Sequence, residues 1–261
     1  TALQPGGEAP VAPSPIRAER VKAFIETGQG QGELVEPSAP RALTIGEIGE
    51  LVALYAQAAR NAIAAGFDGV EIHAANGYLV NQFISAHANM RTDAYGGSPT
   101  NRLRFLREIV EAVSNAVGAD RVGVRFTPLF DSTDEDRVYI GLVEADPHQT
   151  YIDAVKILEA AGVAYLSVAE ADWDNAPDLP ASFRQAVRGV FGGRIIYAGR
   201  YTAARAEKLL STGLADMVAF GRAFIANPDL PARIAHGWPL NPLRSETLYG
   251  GAEEGLTDYP D

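Results

Sequence analysis

The chain has 261 residues, 47% of them hydrophobic and 21% charged, an ordinary globular balance with enough apolar material for a sizeable core. A net charge of −11 and a pI near 4.9 argue against nucleic acid or an anionic membrane as partner, since both select a basic surface. There is no cysteine, hence no disulfide and no thiolate metal site, and His73, His87, His148 and His236 show no i, i+4 pairing, so no metal is expected.

The opening T-A-L-Q-P-G-G-E-A-P lacks the basic and apolar regions of a signal peptide. No uncharged apolar run reaches the ~18 residues a membrane span needs, which makes the cytoplasm the expected compartment. Residues 1–43 are rich in Pro and Gly. Within them, Lys22-Ala-Phe-Ile-Glu and Glu33-Leu-Val-Glu read as two short strands about the turn Gly28-Gln-Gly-Gln-Gly32, an excursion over the mouth of the fold and not a domain of its own. Thr44 and Glu47 then form a capping box. It opens a helix whose stripe is Ile45, Ile48, Leu51, Val52, Tyr55, Ala59, Ala62 and Ile63, and Gly66 ends it.

Val70-Glu71-Ile72 is a short strand, which puts His73, Asn76 and Tyr78 on the loop at its C-terminal end, where βα proteins do their chemistry. A single histidine after a strand is ordinarily structural, and Tyr78 alone would be core. Together, a His and an Asn three residues apart in a glycine-containing loop can aim two donors at one substrate oxygen, with a phenol nearby to supply a proton. Ser98-Pro99 reads as the N-cap and first turn of a helix burying Leu103, Leu106, Ile109, Val110, Val113 and Val117.

Arg121 to Thr127 is the next strand, followed by a long acidic loop from Leu129 to Ala145. Asp146-Pro147 opens a helix, with Gln149 at the capping-box position and Gly162 at its end. Strand Ala164–Ala169, helix Ser182–Val190, strand Arg194–Ala198, helix Thr202–Ser211 and strand Asp216–Phe220 complete a run of βα units, hence a parallel sheet covered by helices. Tyr197-Ala198-Gly199-Arg200 and Ala219-Phe220-Gly221-Arg222 close two consecutive strands. Each glycine alone is a plain turn. As a pair, with a short helix beginning near Ala223 and the Arg222 fork, they form a phosphate site at Gly199, Gly221 and Arg222. No Walker or dinucleotide glycine motif is present.

The run H-A-A-N-G-Y-L, then Q-F-I-S, N-x-R-T-D-x-Y-G-G-S and N-R, between His73 and Arg102, resembles the signature of the Old Yellow Enzyme family of FMN-dependent ene-reductases. The likeness is to the N-ethylmaleimide and pentaerythritol tetranitrate reductase type and extends from Leu3 to Pro260. It implies a (β/α)8 TIM barrel in which FMN, reduced by NAD(P)H, passes a hydride to activated alkenes such as enones, maleimides and nitroalkenes. It further implies that His73 and Asn76 bind the substrate oxygen, that Tyr78 protonates the α-carbon, and that Arg125 lies beside the flavin ring. Gly199, Gly221 and Arg222 match the FMN phosphate contacts, and Tyr249 matches a tyrosine of the tail that reaches back over the site.

On this reading residues 1–261 are a single domain: excursion 1–43, βα units 44–236, and a C-terminal segment 237–261 folding over the site. Only about strands four to eight of the barrel are recognisable, with the helix before them, so a complementing N-terminal segment carrying strands one to three is expected, separate or missing. Two alternatives remain open from the residues alone. One is another phosphate-binding barrel enzyme, an aldolase or isomerase, although Lys22, Lys156 and Lys208 all fall away from strand ends. The other is a non-catalytic remnant of the family.

Overall fold

The computed structural model describes residues 5–18, 22–28, 31–128, 146–170, 178–248 and 253–260. The N-terminal segment carries strand β1 (Val11–Ala12), the antiparallel hairpin β2 (Ala23–Gly28) and β3 (Gln31–Val35), and strand β4 (Arg41–Ala42), which pairs in parallel with β1. The hairpin is where the sequence placed it. The small β1–β4 pair was not foreseen, because two-residue strands carry no alternation to read.

Helix α1 (Ile45–Ala64) begins as its sequence dictates. The Thr44 hydroxyl accepts the Glu47 N–H at 3.2 Å, while the Glu47 carboxylate accepts the Thr44 N–H at 2.8 Å. The Arg41 guanidinium, with the Thr44 donors, holds the Glu47 carboxyl down at about 2. Of the expected stripe, Ile48 and Ala59 are buried while Ile45 is exposed; the face is rotated toward Ala56. It packs on α4 (Arg104–Val117), where the Tyr55 ring meets the edge of Phe105 at 6.4 Å between centroids.

The helix expected from Ser98-Pro99 is divided at Leu103 (ψ −7°) into α3 (Pro99–Arg102) and α4. Ser98 caps it as expected, and Phe105, which the stripe omitted, is fully buried among the other core residues. Between β5 (Val70–His73) and α3 lies α2 (Leu79–Ile84), too short at six residues to show a helical period.

Strands β5, β6 (Val122–Phe126), β7 (Tyr165–Ala169), β8 (Arg194–Ala198) and β9 (Met217–Ala219) form a parallel sheet in strictly sequential order. Between and after them run α5 (Pro147–Ala161), α6 (Ala181–Val190), α7 (Ala203–Ser211), α8 (Arg222–Ala226) and α9 (Leu230–His236). Sequential parallel order without a reversal is the strand order of a (β/α) barrel and not of a doubly wound sheet. The strands divide their residues by parity. Ile72, Val122, Val124, Phe126, Leu166, Val168, Ile195 and Tyr197 are buried on one face, and the other face carries Glu71, His73, Gly123, Arg125, Tyr165, Ser167 and Ile196.

One helix end differs in detail from the sequence reading. Asp146 caps α5 by accepting the Gln149 N–H, but the Gln149 side chain reaches forward to Asp153 at 2.8 Å, so the reciprocal half of the capping box is absent. Gly162, at φ 68°, ends that helix in the left-handed conformation that glycine adopts without strain. The tail is ordered by its own bonds: Arg244 pairs with Asp258 at 2.5 Å, and Asn241 reaches Pro260 O at 2.7 Å and Ala226 O at 3.0 Å. Tyr249 and the loop 129–145 lie outside the described residues.

Among the described residues no helix is long and apolar enough to cross a membrane, and no group of three or more His, Asp or Glu side chains could hold a metal. The cap predicts a stability effect: Thr44→Ala, which removes the acceptor for the Glu47 N–H, should lower unfolding free energy by ~1 kcal/mol, measured by urea titration.

Candidate functional site

The C-terminal ends of β5 to β9 lie along one edge of the sheet, because the strands are parallel. Register fixes what stands beside what. His73 pairs with Arg125, Arg125 with Ser167, Ser167 with Ile196 and Ile196 with Met217, so these residues form a row across the open face. Directly beneath it, Glu71 pairs with Gly123 and Gly123 with Tyr165. The Tyr165 ring lies over Gly123, where an added Cβ would stand 2.1 Å from Cζ, and its hydroxyl meets the Glu71 carboxylate. Burial first, and Glu71 second, push the Tyr165 phenol up to about 12.

Arg125 donates to Ser167 Oγ at 3.1 Å, which holds the guanidinium along the row. Its described partner is thus a neutral hydroxyl, not the carboxylate that a purely structural ion pair would require. His73 sits beside it, and its imidazole is held below the ordinary range, by burial first and by the Arg125 charge second, with Glu71 opposing. A neutral imidazole at neutral pH follows, able to donate one N–H to a substrate oxygen.

The loop after β5 brings the three sequence-predicted residues together. The rings of His73 and Tyr78 lie 5.0 Å apart at 50°, and both side chains are exposed. Asn76 has φ 56° and Gly77 φ 76°, two consecutive left-handed residues that turn the chain sharply before Tyr78, the N-cap position of α2. Asparagine is among the few side chains that tolerate that conformation.

Sequence reasoning missed the residues that hold this loop. Thr127 Oγ1 accepts the Asn76 N–H at 3.1 Å and donates to Asn76 Oδ1 at 2.5 Å. Tyr151, fully buried in α5, donates to Thr127 O at 2.9 Å and accepts from Asn81 Nδ2 at 3.3 Å, while Asn81 Oδ1 accepts the Gly77 N–H at 2.8 Å. Gln82 Nε2 adds a bond to Gly77 O at 2.8 Å.

The later half of the motif between His73 and Arg102 is mostly scaffold. Arg102, buried, donates to Ile84 O and Gly97 O at 2.8 Å each; Asn89 donates to Phe83 O and Tyr95 O at 2.8 Å each. Arg91 pairs with Asp93 at 2.6 Å and reaches Leu43 O at 2.6 Å and Pro13 O at 3.1 Å, which ties the N-terminal segment to the site loop.

Gly199 and Gly221 follow β8 and β9, which are adjacent strands. They stand at the far side of the row from His73 and share its edge. Gly199 backs onto Glu170, whose Cβ would be 2.9 Å from a Cβ added there. The Glu170 carboxylate is buried and accepts from Arg184 at 2.6 Å, Tyr201 OH at 2.7 Å and Arg205 at 3.3 Å, binding the loops after β7 and β8 together. Gly221 opens on empty space, since an added Cβ would meet nothing within 4 Å, and Arg222 beside it is exposed.

Comparison with known proteins agrees with the fold. Residues 4–241 match the model of the NADH:flavin oxidoreductase / NADH oxidase family. A protein named as a 12-oxophytodienoate reductase in Oryza sativa subsp. japonica is 38% identical over 99% of this chain and 68% of its own length. One named as a flavin mononucleotide-dependent alkene reductase in Leishmania infantum is 40% identical over 96% of this chain and 66% of its own. Among solved structures, morphinone reductase superposes with a TM-score of 0.91 at 46% identity, over 99% of this chain and 68% of that one. The Old Yellow Enzyme homologue from Zymomonas mobilis superposes with a TM-score of 0.85 at 37% identity, over 98% of this chain and 69% of that one.

The electrostatics of the row can be checked directly. In NMR titrations with His73 assigned by substitution, Arg125→Gln should raise the His73 pKa and Glu71→Gln should lower it, because the first removes a repelling charge and the second an attracting one.

Proposed function

Because this chain belongs to the NADH:flavin oxidoreductase / NADH oxidase family, and within it to the Old Yellow Enzyme group, we propose that it reduces activated C=C bonds in the manner of an FMN-dependent ene-reductase. The observation that carries the reading is the arrangement at one sheet edge: His73 and Asn76, each with a hydrogen-bonding side chain, a phenol, a fixed cation and a pair of glycine loops with an arginine. Bound FMN, reduced by NAD(P)H, supplies the hydride that adds to the β-carbon of an alkene conjugated to a carbonyl or nitro group.

The residues present fit that cofactor. Gly221, where an added Cβ would meet nothing within 4 Å, leaves its backbone open to a phosphate, with Gly199 and Arg222 along the same edge, and the row of half-buried Arg125, buried Ser167, half-buried Ile196 and exposed Met217 offers a mixed polar and apolar surface for a flat ring. Arg125 supplies positive charge where negative charge accumulates on the ring's pyrimidine edge. His73 and Asn76 bind the carbonyl or nitro oxygen and stabilise the charge that builds there; each such donor is typically worth ~10²–10³ in rate. Tyr78 delivers the proton to the α-carbon. Tyr249 is assigned to the substrate side of the site on the family likeness alone. Enones, maleimides and nitroalkenes are the substrate classes.

The finer architectural reading is that β5 to β9 are strands four to eight of an eight-stranded barrel. Among the described residues, β5 and β9 each pair on one side only, and the face bearing His73 and Met217 is exposed. Such edges and such a face call for a complementing segment with three further strands, on the same polypeptide or a separate one. Chain 1–261 then forms one domain with it, its excursion and tail covering the mouth. Native mass spectrometry of the protein from its natural source tests this: a monomer of this chain alone, retaining FMN, overturns it.

Two measurements test the chemistry. Arg222→Ala should weaken FMN retention about tenfold, the low end for a charge-assisted hydrogen bond at an exposed site; undiminished flavin content after dialysis would count against the phosphate assignment. Tyr78→Phe should spare flavin reduction by NAD(P)H and slow alkene reduction in stopped-flow experiments, since the second step alone requires a proton donor. Equal slowing of both would remove Tyr78 from that role.

A further inference from the structure

An asparagine amide presents an acceptor at one end and two donors at the other. A substrate oxygen acquiring negative charge is stabilised only by the donor end, so the reading of Asn76 as an oxygen-binding residue requires that something fix which end faces outward. We infer that Thr127 does so: it is a positioning residue that orients the Asn76 amide. The inference rests on the assignment of Asn76 to the substrate oxygen.

Thr127 is buried at 1% exposure, and its Oγ1 accepts the backbone N–H of Asn76 at 3.1 Å. Its single proton goes to Asn76 Oδ1 at 2.5 Å. The carbonyl end of the amide is thereby turned inward, and Nδ2, at the opposite end, is turned away from Thr127. Reversing the amide would place Nδ2 against the hydroxyl and leave its proton without that acceptor, inside a buried site where a lost donor is costly.

The Thr127 backbone is held from behind. Tyr151 OH donates to Thr127 O at 2.9 Å, and Asn81 links Tyr151 to the Gly77 N–H through bonds of 3.3 and 2.8 Å. The turn formed by Asn76 and Gly77, both left-handed, is therefore anchored on one side to the end of β6 and on the other to α2, so neither the backbone nor the side chain of Asn76 can turn independently. A hydroxyl at position 127, and not merely a residue of that size, is what the arrangement demands. Valine preserves the shape and removes both the donor and the acceptor; serine preserves both.

The test compares Thr127→Val, Thr127→Ser and Asn76→Ala in the flavin-loaded protein, with 4-hydroxybenzaldehyde as the oxygen-bearing probe followed by the flavin's visible spectrum. Thr127→Val should weaken probe binding about tenfold, as the loss of one oriented donor to a charged oxygen implies. Thr127→Ser should stay within about twofold of the parent. Introducing Thr127→Val into Asn76→Ala should produce no further loss, because the residue acts through Asn76.

A second readout needs no flavin: hydrogen–deuterium exchange over residues 74–78 should accelerate in Thr127→Val and not in Thr127→Ser. Should the valine variant fail to fold, Thr127→Ala takes its place in the same cycle. Weakened binding in Asn76→Ala with unchanged binding in Thr127→Val overturns the inference and leaves the Asn76 assignment standing. Unchanged binding in Asn76→Ala overturns that assignment, and the inference with it. Equal, additive losses in the double variant identify a general packing effect and also overturn the inference.

Discussion

Strand register is the constraint on which the rest of the molecule depends. In a parallel sheet with one face packed on helices, a strand's residues alternate between the core and the opposite face, and pairing decides which of them become neighbours. Here the pairing of β5 to β8 sets His73, Arg125, Ser167 and Ile196 side by side, while Ile72, Val124, Leu166 and Val168 disappear into the core. A one-residue slip in β6 would bury Arg125 and expose Val124, destroying the core and the candidate site together.

That coupling also explains the division of labour within the motif between His73 and Arg102. Its first residues face the open side and carry polar groups suited to chemistry. Its later residues, Phe83, Ile84, Asn89 and Arg102, are buried, and the two polar ones among them satisfy backbone carbonyls that the irregular loop leaves unpaired. A long loop at the working end of a barrel carries many backbone groups with no strand or helix to pair them. Buried arginine and asparagine side chains perform that pairing here, which is why a run readable as a functional signature is in large part a structural one.

What could be read in advance followed from locality. Caps and periodic stripes act within a few residues, so α1, α5 and α7 were placed to within a residue or two by Thr44, Asp146 and Thr202. His73, Asn76 and Tyr78 lie within six positions of one another and could be grouped as a site from sequence alone. The residues that hold them could not. Thr127 is 51 positions from Asn76, and Tyr151 is 70 from Asn81, so nothing in their local context marks them. Glu170 was missed for the same reason, since its partners Arg184, Tyr201 and Arg205 come from α6, the loop between β8 and α7, and α7 respectively. Short elements were missed on other grounds: α2 and the β1–β4 pair are shorter than the period by which they would be recognised.

The backbone at position 76 narrows what this site can become. With φ at 56°, the position accepts glycine, asparagine, aspartate or histidine far more readily than any branched or bulky residue. Of these, glycine has no side chain to offer an oxygen and aspartate would repel one. The alphabet open to natural or laboratory variation is thus close to two letters, asparagine and histidine, before any question of reactivity arises. New substrate preferences must accordingly be sought at neighbouring positions whose backbone is less demanding, with position 76 left as a nearly fixed point about which the pocket can be remodelled.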